Sequence, residues 1–246
     1  MKRAHFRFDE DLRRLLARDK SAGDFFYDFN GPQSCKHLIE SVGIPHTEIG
    51  SIRADNLPVS PSYLVADGNS VHVFAFAPVT AAASEPRFVA DGHLGRLVSH
   101  LRMLGIDCLY WNDSDDESLT NVSVAEGRIL LTRDRRLLMR KMITLGCLIR
   151  SLDPREQLDQ VVRRYGLRTW IRPFQRCIRC NQLLQEVNKA DILDRLEVLT
   201  RLYFEEFHIC PACQQIYWKG SHFDNMQKVI SELRRAPDTS SHSLPG

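Results

Sequence analysis

The sequence predicts an α/β protein in three parts: a small α+β grasp, an α/β segment built on a parallel sheet, and a short metal-stapled segment. Three patterns predict it. Residues 87–168 alternate short apolar strands with helical stretches, the spacing of βαβ units. Residues 1–78 crowd several strands around one short helix. Beyond the alternation, within residues 170–223, lie two C-x-x-C pairs.

In the first part, "AHFRF" alternates Phe6 and Phe8 with His5 and Arg7, and "DFFYDFN" follows as a second strand turned by Gly31 and Pro32. "SCKHLIESVGIP" reads as a helix capped by Ser34, with Leu38, Ile39 and Val42 as its apolar stripe and Gly43 and Pro45 as its stop. "SIRADN", "SYLVADGNSV" and "VHVFAF" continue the domain, with Asp67, Gly68 and Asn69 turning into the last strand. The small, proline-bounded stretch "APVTAAASEP" reads as a connection, which places a first domain at 1–80 and a linker at 81–86.

In the second part, 87–168, "RFVAD" is a short strand. Leu94, Leu97, Val98, Leu101 and Leu104 then mark one helical face closed by Gly105. "IDCLYW", "RILLT" and "CLIRSL" are further strands, each followed by a helix over "DDESLTNVSVAEG", "DRRLLMRKMITLG" and "DPREQLDQVVRRYG". The last helix carries Asp153 as cap, Pro154 in its first turn and Glu156 at the capping-box position. A third part, 169–225, holds the cysteine pairs, and 226–246 is a terminal helix ending in a polar, disordered tail from Pro237.

Composition is that of a globular protein, 43% hydrophobic and 26% charged, without an apolar run near the ~20 residues of a membrane span. The opening "MKRAHFRFDEDLRRLL" is charged throughout and lacks a signal-peptide core, so a cytoplasmic location without membrane contact is expected. Thiols stay reduced there, which argues against a disulfide framework for the seven cysteines. Net charge is only +2, yet residues 1–86 carry 9 basic and 11 acidic side chains while residues 128–179 carry 14 and 4. That local excess of +10 is either a solvated arginine-rich face or the footprint of an anionic partner such as nucleic acid.

Cys177 and Cys180 in "RCIRCN", and Cys210 and Cys213 in "ICPAC", have the spacing of two knuckles that hold one tetrahedral zinc ion through four thiolates. With every position filled by sulfur, that zinc is structural. A redox dithiol is the competing reading, although one pair would suffice for it. Cys35, Cys108 and Cys147 fall in apolar patterns and read as small buried residues.

Acids mark the strand ends. Asp91 follows "RFVA", Asp134 follows "RILLT", and Asp113, Asp115, Asp116 and Glu117 follow "IDCLYW". In a parallel sheet these loops share the carboxyl edge, where ligands collect. Clustered carboxylates call for a hard cation such as Mg²⁺ or Mn²⁺, and such an ion serves phosphodiester hydrolysis. Asp91 and Asp134 read equally well as helix caps, and "DSDDE" as a solvated loop.

In "FVADGHLGRLVSHLRMLGIDCLYW", "EGRILLTRDRRL", "RCIRCNQLL" and "CPACQQIYWKGSH" the chain resembles the Mut-seven C-terminal ribonuclease domain family, a PIN-like nuclease with an appended zinc ribbon. The resemblance spans about residues 87–225. The segment before it is similar to the ubiquitin-like domain fused in front of that module, on its pattern and on "CKHLIESVGIPHTEIG".

The resemblance implies a three-layer α/β/α nuclease domain with a parallel sheet, preceded by a β-grasp domain. It also implies a metal-dependent ribonuclease in which Asp91, Asp116 and Asp134 bind Mg²⁺ or Mn²⁺ and activate water, with Asp115 as the fallback for Asp116. Arg133, Arg135, Arg136 and Arg96 then contact the substrate backbone, unless Arg96 pairs with an acid inside the fold. The expected partner is RNA, with tRNA or another structured RNA among the candidates. Tyr217, Trp218 and His222 either stack on bases or pack the ribbon core, and packing is the commoner use. The β-grasp domain lacks a terminal glycine pair, so it suits contact with protein or RNA rather than conjugation. The alternative is a non-catalytic RNA-binding adaptor held together by the zinc.

Overall fold

The computed structural model describes residues 1–235; the tail read as disordered lies outside the described residues. The N-terminal part runs β1 (Lys2–Phe8), α1 (Glu10–Arg13), β2 (Asp24–Phe29), α2 (Cys35–Ser41), β3 (Ile49–Ala54), β4 (Leu57–Val59) and β5 (Ser70–Ala75). The alternating part runs β6 (Phe88–Ala90), α3 (Gly95–Met103), β7 (Cys108–Tyr110), α4 (Asp116–Glu126), β8 (Ile129–Thr132), α5 (Arg135–Leu138), β9 (Gly146–Leu148) and α6 (Pro154–Arg164). The cysteine-bearing part adds β10 (Gln185–Val187), α7 (Val198–Tyr203), β11 (Phe207–Ile209), β12 (Ile216–Trp218) and α8 (Ser221–Arg235). These elements gather into two compact units, Met1–Ala77 with Asp115–Ile149, and Pro78–Ser114 with the described residues from Arg150 onward.

In the first unit, β1 pairs antiparallel with β2 and parallel with β5, giving the five-strand order β2-β1-β5-β3-β4 of a β-grasp. The alternation in β1 buries Ala4, Phe6 and Phe8 and leaves Arg3 and Arg7 exposed. Ser34 caps α2, its hydroxyl accepting the His37 N–H at 3.2 Å, and Cys35, Leu38 and Ile39 face inward. Strand β4 is not legible in the sequence because it contains Pro58. It lies at the sheet edge, where a missing N–H costs no ladder bond. Asp55 and Asn56, at φ 49° and 67°, make the tight turn into it.

The same unit holds β8 and β9, paired parallel from Leu130↔Gly146 to Thr132↔Leu148. The helix expected over 134–146 forms only across Arg135–Leu138. Leu137 and Leu138 are buried by then, and the chain must turn back to start β9. Gly146 lets it pass, since a Cβ there would stand 2.6 Å from Leu138 Cδ2. The grasp is bonded to this segment through polar side chains. The buried Glu48 carboxylate accepts the Leu148 N–H at 2.9 Å, His46 lies between Glu40 Oε1 (2.7 Å) and the Ile143 carbonyl (2.6 Å), and Arg135 donates to the Leu15 carbonyl at 2.6 Å.

In the second unit, β6 and β7 pair parallel from Phe88↔Cys108 to Ala90↔Tyr110, joined by α3 in a βαβ unit. All three β6 residues are buried, as expected of a strand covered on both faces. Leu97, Val98, Leu101 and Leu104 form the inner face of the helix, whose expected first turn, Gly92–Leu94, is a 3-10 turn. The capping box of α6 closes through a third residue: Ser151 Oγ accepts the Asp153 N–H (2.9 Å) and donates to Glu156 (2.6 Å). Just before the stretch read as a linker, Val79 N–H donates to the Arg164 carbonyl at 3.3 Å. Strands β10, β11 and β12 form an antiparallel sheet around Ile192, Leu196, Phe207 and Ile216.

Glu48→Ala leaves a buried N–H without this acceptor, so it should cost about 1–3 kcal/mol and lower Tm by roughly 2–10 °C. Glu48→Gln keeps an oxygen in place and should lose roughly half of that or less. Thermal denaturation of the two variants checks it; equal melting of Ala and wild type would contradict it.

Candidate active site and metal centre

A helix that follows a strand starts with amide N–H groups lacking intrahelical partners. Each of the four strand-to-helix junctions of the alternating part answers with an aspartate. Asp91 accepts the His93 N–H (2.7 Å), Asp115 that of Ser118 (2.6 Å), Asp134 that of Arg136 (2.7 Å), and Asp153 those of Arg155 (2.7 Å) and Glu156 (3.2 Å). The Ser118 amide holds the Asp115 carboxyl below its usual range. The cap reading of Asp91 and Asp134 is therefore realised. It does not use up the group, because a carboxylate offers two oxygens and about four lone-pair sites.

Asp91 is buried at the end of β6, and the same oxygen that takes the His93 amide lies 2.8 Å from His93 Nδ1. The "DGHLG" motif fits its surroundings. A Cβ on Gly92 would stand 2.5 Å from the Asn112 carbonyl oxygen, and one on Gly95 2.9 Å from the Tyr110 hydroxyl. That hydroxyl binds Gly92 O (2.9 Å) and Asn112 Oδ1 (2.6 Å), fixing the loop that carries Asp91.

Asp134 is exposed, and its own N–H is held by the buried Thr132 hydroxyl at 3.0 Å. Arg133 and Arg136 beside it are exposed, as is Arg96 on α3. Arg135 is occupied elsewhere, on the Leu15 and Gly43 carbonyls. Asp115 caps α4, whereas Asp116 in its first turn pairs with Arg140 at 2.8 Å. Sequence reasoning missed His93, whose signal was its position two residues after Asp91. It also missed Arg140, which nothing in the local pattern set apart.

Among the described residues, one set of three or more metal-ligating side chains has all its ligand atoms within 4.8 Å of one another: Cys177, Cys180, Cys210 and Cys213. No three acids do. The two knuckles have the same backbone. Cys177 N–H donates to Gln182 O and Cys210 N–H to Gln215 O, while Asn181 N–H returns to Cys177 O and Gln214 N–H to Cys210 O. Asn181 (φ 70°) and Gln214 (φ 58°) make the left-handed turn that follows each second cysteine.

Sulfurs from opposite knuckles approach to 3.5 Å (Cys177–Cys213) and 3.3 Å (Cys180–Cys210). A tetrahedral ZnS₄ centre has edges of about 3.8 Å, so these four residues fit a zinc ion. Burial pushes the Cys177 thiol up, but hydrogen bonds from Tyr217, the Cys180 amide and the neighbouring thiols bring it down to about 7. Burial drives Cys180 up to about 12. Zinc bound here would be a closed staple, with no coordination position left for substrate. Trp218 packs against the ribbon core, as the packing reading has it, while the Tyr217 hydroxyl lies 3.1 Å from Cys177 Sγ. The His222 side chain lies outside the described residues.

The first knuckle is riveted to the βαβ unit. Arg102, buried on α3, donates to the carbonyls of Cys108 (2.9 Å), Ile178 (3.0 Å) and Arg179 (2.8 Å). Asn181 accepts the Cys108 N–H at 3.1 Å and donates to Asp107 at 2.8 Å. Four thiolates around one Zn²⁺ leave two negative charges. Burial lowers the Arg102 pKa, while Cys108, Cys177 and Cys180 pull it back up, so with zinc bound this buried cation would face the sulfur charge.

Cys177→Ser should abolish stoichiometric zinc, and Arg102→Met should retain the cysteines yet cost at least about 2 kcal/mol through its lost charged hydrogen bonds. Zinc affinity should fall with acid, because thiolates must be deprotonated to bind. Metal analysis with chelator competition checks the two zinc predictions and denaturant unfolding the Arg102→Met cost; unchanged zinc retention in Cys177→Ser contradicts the assignment.

A family model described as the Mut7-C RNAse domain matches residues 86–230, and one described as Mut7-C ubiquitin matches residues 1–81. No curated protein and no solved structure matches the chain. With its α/β strands, its Cys₄ ribbon and a match over more than half its length, the chain belongs to the Mut7-C RNAse domain family and carries the ubiquitin-like domain of that family in front.

Proposed function

We propose that the protein is a ribonuclease that hydrolyses RNA phosphodiester bonds with Mg²⁺ or Mn²⁺ at an acidic centre. The observation that carries this reading is that Asp91 and Asp134, within the stretch matched by the RNAse model, each follow a parallel strand with the carboxylate anchored by a backbone amide. An anchored carboxylate is a preorganised ligand, because the amide restricts its rotation before any ion arrives.

Asp91, Asp134 and Asp116 are the proposed metal-binding acids. The ion, when bound, supplies water activation and polarises a phosphoryl oxygen. Arg133, Arg136 and Arg96, all exposed, are the proposed phosphate contacts, which give affinity without reading sequence. Arg135 tethers α5 to the grasp, so its contribution is to hold the segment that carries Asp134. The substrate is RNA, with structured RNA such as tRNA among the candidates, acted on in the cytoplasm. No described helix is long and apolar enough to cross a membrane. The ubiquitin-like domain is proposed to contact protein or RNA. After β5 the chain runs on through "FAPVTAAASEP" without a glycine pair, which leaves no end for conjugation.

A second reading, an RNA-binding adaptor without catalysis, is favoured by one observation. One of the three proposed ligands, Asp116, is already paired with the Arg140 guanidinium at 2.8 Å.

The test is incubation of the zinc-loaded protein with total RNA and Mn²⁺. Cleavage should appear with the ion and fall at least 100-fold in Asp91→Asn and in Asp134→Asn, with zinc content unchanged. RNA shifted in a gel but never shortened would establish the adaptor instead. Arg133→Ala with Arg136→Ala should weaken RNA binding and lower the slope of log affinity against log salt by about 0.7 per lost contact on a single strand. An unchanged slope would remove these arginines from the interface.

A further inference from the structure

Asp134 stands on little local structure: β8 before it has four residues, and so has α5 after it. One helical turn fixes several backbone dihedrals for a single hydrogen bond, so a helix this short needs bracing from outside. Polar bracing comes from the grasp. Arg135, half-buried and next in the chain to Asp134, donates to the carbonyls of Leu15 (2.6 Å) and Gly43 (3.5 Å).

The same part of the grasp holds the return from α5 to β9. His46 Nε2 lies 2.6 Å from the Ile143 carbonyl, and the buried Glu48 carboxylate accepts the Leu148 N–H at 2.9 Å. Between these ties, a Cβ on Gly146 would stand 3.2 Å from Thr47 Cγ2. Gly43, His46, Thr47 and Glu48 all belong to the connection between α2 and β3. Residues 43–48 therefore grip the segment that begins at Asp134 in its first helical residue, in its turn and in its last strand. Connection and segment fall within one compact unit. Ties that served folding alone would be indifferent to a ligand on Asp134. The first of these ties sits on the residue bonded to it.

Resting on the reading of Asp134 as a metal ligand, we propose that the ubiquitin-like domain controls the metal centre in cis. Its 43–48 connection is energetically coupled to the ion bound at Asp134, and Arg135 is the positioning residue that joins the two. Such coupling is reciprocal by linkage: what loosens the connection weakens the ion, and the ion tightens the connection.

The experiment uses the full zinc-loaded chain and follows backbone amide exchange by mass spectrometry with and without Mn²⁺. The ion should slow exchange across residues 43–48 about 5-fold or more, and Asp134→Asn should remove that effect. Arg135→Met should raise the Mn²⁺ concentration for half-maximal RNA cleavage about 10-fold, with zinc content and the salt slope of RNA binding unchanged. Arg135→Lys, which keeps a donor for the carbonyls, should recover most of the loss. Exchange across 43–48 that ignores Mn²⁺, or a wild-type Mn²⁺ requirement in Arg135→Met, would overturn the proposal. A lowered salt slope in Arg135→Met would also overturn it and give Arg135 to the RNA. Wild-type protein that never cleaves RNA, yet slows at 43–48 through Asp134, would sink the ribonuclease reading and keep the coupling. Cleavage without that slowing would do the reverse.

Discussion

The unmet amide N–H groups at the start of a helix are the constraint on which the rest depends. A strand-to-helix junction leaves them facing the carboxyl edge of the strand, and this chain satisfies them with aspartate at Asp91, Asp115, Asp134 and Asp153. The need for an acceptor there is purely structural. Its by-product is a negatively charged oxygen at each strand end, held by backbone rather than by a mobile side chain. Cap and metal ligand are thus not rival explanations of one residue. On the proposed function, the cap would hold the ligand still.

Anchoring of a different kind sets the ribbon. With zinc bound, four thiolates there would concentrate negative charge beside a buried arginine, whose donors also finish the knuckle's carbonyls. Arg102 therefore does for the ribbon what Arg135 does for α5, which it holds to carbonyls of the grasp. In both cases a long cation ties segments distant in sequence, and in both the bonded partner is backbone, so the tie depends on fold and not on a matching acid.

Local signals were legible. Ser34, Asp153, the apolar stripe on α3 and the knuckle spacing each specify their structure within a few residues, and each is realised. What the sequence concealed is long-range. Nothing near Glu48 announces that its carboxylate takes an N–H from Leu148, and nothing near Arg135 announces that it serves Leu15 rather than solvent. Asp115 and Asp116 could not be separated by pattern, because adjacent acids at a helix start differ only in which one reaches back to the amide. The short α5 was hidden by a helical periodicity that runs on to Gly146, whereas the helix itself ends at Leu138.

The hydrolytic account is tested most directly by soaking crystals of the zinc-loaded protein in Mn²⁺ and locating the metal by anomalous diffraction. The account predicts a manganese peak within coordination distance of carboxylate oxygens from both Asp91 and Asp134, separate from the zinc among the cysteines. Manganese found on only one of the two aspartates, or nowhere but the cysteine centre, would contradict it.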